Sequence, residues 1–250
     1  MDTDLKNTAW IATQEELESR KKIQQLFRNC RIPDNEVLAN LGLFLNGPSL
    51  ARILFMNDLY QRILSVHGIV IEFGVRWGQN MALFENFRGI YEPFNFTRRI
   101  IGFDTFQGFL SVDEKDGNMA SANDFSVTPE YENYLQELLD FHEHSNPIPQ
   151  IKKVKIIKGD AIDELKKYLD ENPETIIALA YFDFDVYEPT KKCLELIQGY
   201  LTKGSIVGFD ELCFHHYPGE TLAYKEVFGL NKYKITRSQY SRANSFITID

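Results

Sequence analysis

IVIEFGVRWGQN, Ile69 to Asn80, is a short apolar run that meets a turn punctuated by glycines and then enters a helix. Branched and aromatic residues in an unbroken run suit a strand buried on both faces, as in a parallel sheet covered by helices. Glu72 ends that strand beside Phe73, and Gly74 and Gly78 let the backbone turn sharply and approach a ligand. The helix that opens near Asn80 adds free N–H groups. A dinucleotide site would ask for three glycines as GxGxxG, which this stretch lacks. An acid just before the turn suits instead a cofactor with a cationic or hydroxyl-rich end, although a plain tight turn also accounts for the glycines.

Outward from this stretch the pattern repeats. Arg99 to Phe103, Val154 to Ile157, Ile176 to Phe182 and Ser205 to Phe209 are further apolar runs, separated by helical stretches, as βα units require. Lys232 to Arg237 and Ser245 to Ile249, joined by the polar turn SQYSRAN, are expected to close a seven-stranded, mostly parallel α/β sheet with an antiparallel edge. Before the sheet, residues 1–66 read as a cap of helices, Gln14 to Arg28 and Ser49 to Val66 among them. Residues 67–250 form the core, interrupted at about 105–150 by a turn-rich and then helical insertion beside a strand end. So long an interruption is more often functional than accidental.

Composition narrows the partners. A chain of 250 residues, 44% apolar, buries a full core in one catalytic domain. A formal charge of −9 argues against nucleic acid, which is bound through clustered Lys and Arg. No apolar run reaches the roughly 20 residues that cross a bilayer, and the start MDTDLKNTAW lacks the basic and apolar regions of a signal peptide. Cytoplasmic localisation without a membrane partner is the expectation. Cys30, Cys193 and Cys213 show no CxxC spacing and read as inert thiols.

Acids at strand ends carry the chemistry. Asp104, followed by Thr105 and Phe106, ends the second strand, where a carboxylate accepts from a ribose diol or caps a short helix. Asp160, next to Ala161, stands at a helix start after the third strand, either as a cap or on the adenine side of a cofactor. In LAYFDFDVYEPT an apolar strand runs into Asp183 and Asp185, and GSIVGFDEL repeats the arrangement with Asp210 and Glu211. Carboxylates gathered this closely call for a cation to offset their repulsion, and Mg²⁺ suits oxygen ligands. His215 and His216 follow in ELCFHHYPGE and offer a base or a substrate contact.

Together EFGVRWGQN, GFDTFQGF, YFDFDVYEPT and KGSIVGFDEL resemble the macrocin and mycinamicin sugar O-methyltransferases of antibiotic biosynthesis, from roughly Ser49 to the C-terminus. The stretch from FDEL to PGETLAYKEVFGL is similar to the branch acting on nucleotide-linked deoxysugars. The resemblance implies a Rossmann-like class I methyltransferase using S-adenosylmethionine and a divalent cation on a sugar hydroxyl, in a nucleotide sugar or a glycan. It places Glu72, Phe73, Gly74, Gly78, Asn80, Asp104, Thr105, Phe106, Asp160, Ala161 and Asp183 at the cofactor. Asp183, Asp210 and Glu211 fall at the metal, with Asp183, Asp185 and His215 in the catalytic group. Two departures stand out: Glu211 where many members carry a second Asp, and Arg76-Trp77 in inverted order. The N-terminal helices would pack between subunits of a homo-oligomer or over the site. A catechol-type O-methyltransferase and a non-catalytic nucleotide-binding module are the alternatives.

Overall fold

The computed structural model describes residues 12–250. Its contacts divide the chain into a unit ending at Ala51 and a unit Arg52–Asp250. In the first, α1 (Gln14–Arg28) opens on a capping box: Glu16 N donates to Thr13 Oγ1 at 3.2 Å and Thr13 N to Glu16 Oε2 at 2.7 Å. None of its residues is buried. The Phe27 ring meets Phe44 edge-on at 5.0 Å.

The second unit is built on a seven-stranded sheet in the order β3-β2-β1-β4-β5-β7-β6. Its strands are β1 (Ile69–Phe73), β2 (Ile100–Asp104), β3 (Val154–Lys158), β4 (Ile177–Phe182), β5 (Leu201–Phe209), β6 (Thr236–Arg237) and β7 (Ser245–Thr248). β1 to β5 pair in parallel, and β7 runs antiparallel between β5 and β6. The expected α/β architecture with its antiparallel edge is present, although the run from Lys232 contributes only two residues of strand. β1 and β4 are buried along their whole length, which accounts for their unbroken apolar character. Strand order reverses between them, and in open α/β sheets ligands bind outside the carboxyl ends at this switch point.

Helices α2 (Gly47–Arg62), α3 (Gln79–Tyr91), α4 (Tyr131–Ser145), α5 (Ala161–Glu171), α6 (Tyr187–Ile197) and α7 (Gly219–Val227) complete the chain. Phe55, Met56, Leu59 and Tyr60 of α2, and Ile63 just after it, are fully buried in the core on one face of the sheet, with Val70, Leu179 and Ile206. The helix read as the end of a cap therefore gives its C-terminal half to the core. The insertion holds α4, whose Leu135 and Leu139 are buried in the same cluster, and Glu143 Oε2 accepts from Lys153 N at 2.8 Å beside β3. No single helix among the described residues is long and apolar enough to cross a membrane.

Candidate active site

At the end of β1, Glu72 is 1% exposed and accepts from Asn80 Nδ2 at 2.8 Å. Burial pushes its carboxyl up to about 8, and its Oε2 is buried without a hydrogen-bond partner. An orphaned acceptor of this kind is costly unless a ligand completes it. Gly74 sits at φ +87°, and a Cβ there would lie 2.1 Å from the backbone oxygen of Asp183. At Gly78, φ +77°, it would meet the side chain of Leu135 at 2.3 Å. Both glycines are thus required by neighbouring protein, Gly74 by Asp183 just past β4 and Gly78 by Leu135 of α4. Phe73 is fully buried among Phe103 and Phe182, so only its backbone faces the site, where its carbonyl accepts from Asp183 N at 2.8 Å.

Asp104 caps no helix. One carboxylate oxygen accepts from Arg76 N at 2.8 Å and the other from Phe106 N at 2.5 Å, tying the glycine turn to the loop after β2. Burial nevertheless raises its pKa. Thr105 closes its own loop, accepting from Gln107 N at 3.0 Å and donating to Gly108 O at 2.9 Å, and the Phe106 ring is buried in the core. Asp160 caps α5 through Ile162 N at 2.8 Å, with Ala161 buried behind it.

The acids of β4 and β5 do gather. Arg52, which sequence reading passed over inside an apparently amphipathic helix, lies across two of them: Nη1 is 3.2 Å from Asp183 Oδ2 and Nη2 2.9 Å from Asp210 Oδ2. Asp210 Oδ1 also accepts from Tyr181 OH at 2.5 Å and Asn244 Nδ2 at 2.6 Å. Asp185, 8% exposed and in the left-handed region at φ 61°, is pushed up to about 7 by burial and then by the charge on Asp210. Burial and the neighbouring carboxylates also raise Asp183 and Glu211. Glu211 Oε2 is buried without a hydrogen-bond partner. Glu220, a second residue sequence reading missed, is fully buried at the start of α7 and accepts from Glu211 N at 3.2 Å. Glu72, Asp183, Asp185, Asp210, Glu211 and Glu220 therefore share one charged region with the guanidiniums of Arg52 and Arg76.

Among the described residues no three acidic, histidine or cysteine side chains converge as a metal-binding set, and Arg52 stands across two of the three expected ligands. The donor chemistry itself suits a hard cation: every donor is a carboxylate oxygen and one is orphaned. His215 lies in the exposed loop after Glu211, its ring 3.8 Å from that of His216.

Backbone strain concentrates here as well. Arg76, Phe106, Phe125, Asp185 and Cys213 are non-glycine residues at positive φ in the loops around the strand ends. Such conformations persist where surrounding structure fixes them, commonly at functional sites. Asp116, from the insertion, is 1% exposed and holds the start of α6 by accepting from Tyr187 N at 2.5 Å.

No protein-family model matches the chain, and no curated protein does. Solved structures do. CalS11, a calicheamicin methyltransferase, is 42% identical over 95% of this chain and 93% of its own, with a TM-score of 0.92. An apo structure of CalS11, described as a TDP-rhamnose 3'-O-methyltransferase of calicheamicin biosynthesis, is 40% identical over 95% of each chain with a TM-score of 0.84. The O-methyltransferase NovP, 16% identical over 80% of this chain and 79% of its own with a TM-score of 0.57, shares the fold. Identity at that level across nearly the whole length, on a Rossmann-like sheet with acids at the ends of β4 and β5, places the chain in the class I, S-adenosylmethionine-dependent sugar O-methyltransferase family.

Proposed function

We propose that the protein methylates a hydroxyl of a nucleotide-linked deoxysugar, with Asp185 as the proton acceptor. One observation carries the reading: a buried carboxylate whose pKa lies near neutrality stands at the end of β4, beside Asp183 and Asp210 and next to the strand that bears the cofactor turn. A general base works best when its pKa is close to the working pH. The acceptor class rests on the similarity to CalS11, whose substrate is a nucleotide sugar.

S-adenosylmethionine, when bound, supplies a methyl group on a sulfonium. Glu72 and Asp104 would take its polar groups, Glu72 through the orphaned Oε2 and Asp104 through the ribose, while the Arg76 and Phe106 N–H groups hold the Asp104 carboxylate still. Asp160 spends an oxygen on its helix cap and contributes chiefly by placing the start of α5. On the other side Asp185 removes the acceptor proton, and Tyr181 and Asn244 orient Asp210. Fixing donor and acceptor in line supplies much of the rate in such a transfer.

A divalent cation is part of the proposal. Asp183, Asp210 and Glu211 would hold it, and it would supply positive charge against the clustered acids and the oxygen being methylated. Its support is the excess of carboxylate over guanidinium and the orphaned Glu211 oxygen. The Arg52 guanidinium has to leave Asp183 and Asp210 for three ligands to converge.

Methyl-labelled S-adenosylmethionine offered with a panel of nucleotide-linked deoxysugars, free glycosides and catechols tests the reading. Label is expected in the nucleotide sugars. Label in catechols alone would replace the acceptor, and cofactor binding without transfer would favour a non-catalytic role. Homo-oligomerisation and cytoplasmic residence remain proposals; the exposed Leu38, Leu41 and Leu43 of the first unit are the apolar surface that association would cover.

A further inference from the structure

A nucleotide-linked acceptor brings an anionic diphosphate up to a region already crowded with carboxylates, in a chain of net charge −9. Such a ligand needs a local cation to offset that repulsion. Arg52 pairs with Asp183 and Asp210, the acids assigned to the cation. Arg76 belongs to the donor side: its N–H holds Asp104 and its guanidinium lies over the rings of Phe125, at 4.9 Å, and Trp77, at 5.9 Å.

A further cation, the Arg242 guanidinium, lies on the acceptor side. Tyr217 is 2% exposed; burial first, then the charges of Asp185, Asp124 and Glu211, raise its pKa. Phe214 stacks on Tyr217 with ring centroids 6.2 Å apart. Above Phe214 lies the Arg242 guanidinium, 5.9 Å from the ring, and at its edge the His216 ring, 5.5 Å away and itself against His215.

Two separate loops build this group, and both are anchored to the active site. The loop after β5 is bound at Phe214 N, which donates to Glu211 O at 3.3 Å, and at Cys213, held at φ 67° with its N–H on Thr221 Oγ1 at 2.9 Å. The turn carrying Arg242 is fixed two residues later, where Asn244 Nδ2 donates to both Asp210 O, at 3.0 Å, and Asp210 Oδ1. The Phe214 stack and the Arg242 turn are therefore both tied to residues of the acidic cluster, Glu211 and Asp210.

We infer that Arg242 and the His215–His216 pair form the subsite for the diphosphate of the acceptor, with Phe214 as the platform that orients the guanidinium. The inference rests on the nucleotide-sugar reading and assigns His215 to acceptor binding rather than to proton removal. Planar guanidinium forks match phosphate oxygens, and a charge-assisted hydrogen bond of this type contributes about 1.5–3 kcal/mol, a factor of roughly 10–100 in affinity.

Calorimetric titration with thymidine diphosphate, and separately with S-adenosylhomocysteine, tests it on the wild type, Arg242→Gln, Arg242→Lys and the double variant His215→Asn, His216→Asn. Arg242→Gln is expected to weaken thymidine diphosphate at least about tenfold with S-adenosylhomocysteine affinity unchanged. Arg242→Lys should recover part of the loss, and the double histidine variant should weaken the same ligand. Equal binding by the wild type and Arg242→Gln would overturn the subsite and leave the nucleotide-sugar reading standing. A wild type that binds no thymidine diphosphate, yet methylates a sugar without one, would overturn both.

Discussion

The proposed donor side at β1 and β2 and the proposed acceptor side at β4 and β5 use carboxylates in different ways. On the donor side Asp104 is met by backbone N–H groups of both flanking loops, and Glu72 by Asn80. Those partners come from the fold itself, so the turn is formed before any ligand arrives, and its glycines answer to Asp183 and Leu135. On the acceptor side four carboxylates from neighbouring strand ends face one another, and Arg52 satisfies only two. The remainder hold their protons more tightly than free carboxyls do. One region leaves a single buried acceptor, Glu72 Oε2, for a ligand to complete; the other gathers several acids that a cation, a proton or an acceptor must settle.

The sharpest way to break this contrast is to disable one side alone. Asp185→Asn should lower kcat by roughly 10²–10⁴ while S-adenosylhomocysteine affinity in calorimetry stays within twofold. In the wild type kcat should rise with pH through about 7, where Asp185 loses its proton, and the variant should lack that limb. A variant with near-normal turnover would remove Asp185 from the chemistry.

On the donor side Gly74→Ala should act on structure. A Cβ 2.1 Å from the Asp183 oxygen at φ +87° cannot be accommodated without moving β1 from β4. A loss of about 2–4 kcal/mol in denaturant unfolding, with weakened cofactor binding, is expected. Unchanged stability would mean that the turn is free to rearrange.

Arg52 sharpens the comparison in the other direction. Chelation with EDTA followed by dialysis should reduce activity at least tenfold, restored by Mg²⁺, because the cation offsets charge in a crowded site. Arg52→Gln should bind Mn²⁺ several-fold more tightly than the wild type in a spin-resonance titration, since a competing guanidinium is gone. Full activity after chelation would leave Arg52 as the counter-charge and withdraw the ion.

A last effect concerns Glu72. Its pKa is about 8 in the folded state against an ordinary 4.5, so the folded protein binds the proton more tightly than the unfolded chain. Its contribution to stability is complete below pH 4.5 and is lost as pH rises towards 8. Glu72→Gln should flatten that decline in urea unfolding of the cofactor-free protein, by an amount on the order of a few kcal/mol. A curve unchanged by the substitution would place the titration elsewhere.

Most of the fold was legible because β1 and β4 lie buried on both faces, and burial on both faces writes an unbroken apolar run. Acids that end such runs stand out for the same reason, which is how Asp104, Asp183 and Asp210 were found. Arg52 was not legible: it sits among Leu50, Ile53 and Leu54, in a helix whose pattern says only that one face is covered. Glu220 stands in the first turn of α7, a position where helices favour negative charge, so nothing in the sequence sets it apart. Nothing in EKDGNM signals that the Asp116 carboxylate reaches Tyr187 N. Each depends on a partner far away in sequence, and periodicity carries no information about that.

A crystal structure with S-adenosylhomocysteine and an unmethylated nucleotide-linked deoxysugar tests the division of labour most directly. The account predicts the cofactor ribose on Asp104, the sulfur facing β4, and a sugar hydroxyl within hydrogen-bonding distance of Asp185. A ribose seated away from Asp104, or a sugar with no hydroxyl near the carboxylates of β4 and β5, would contradict it.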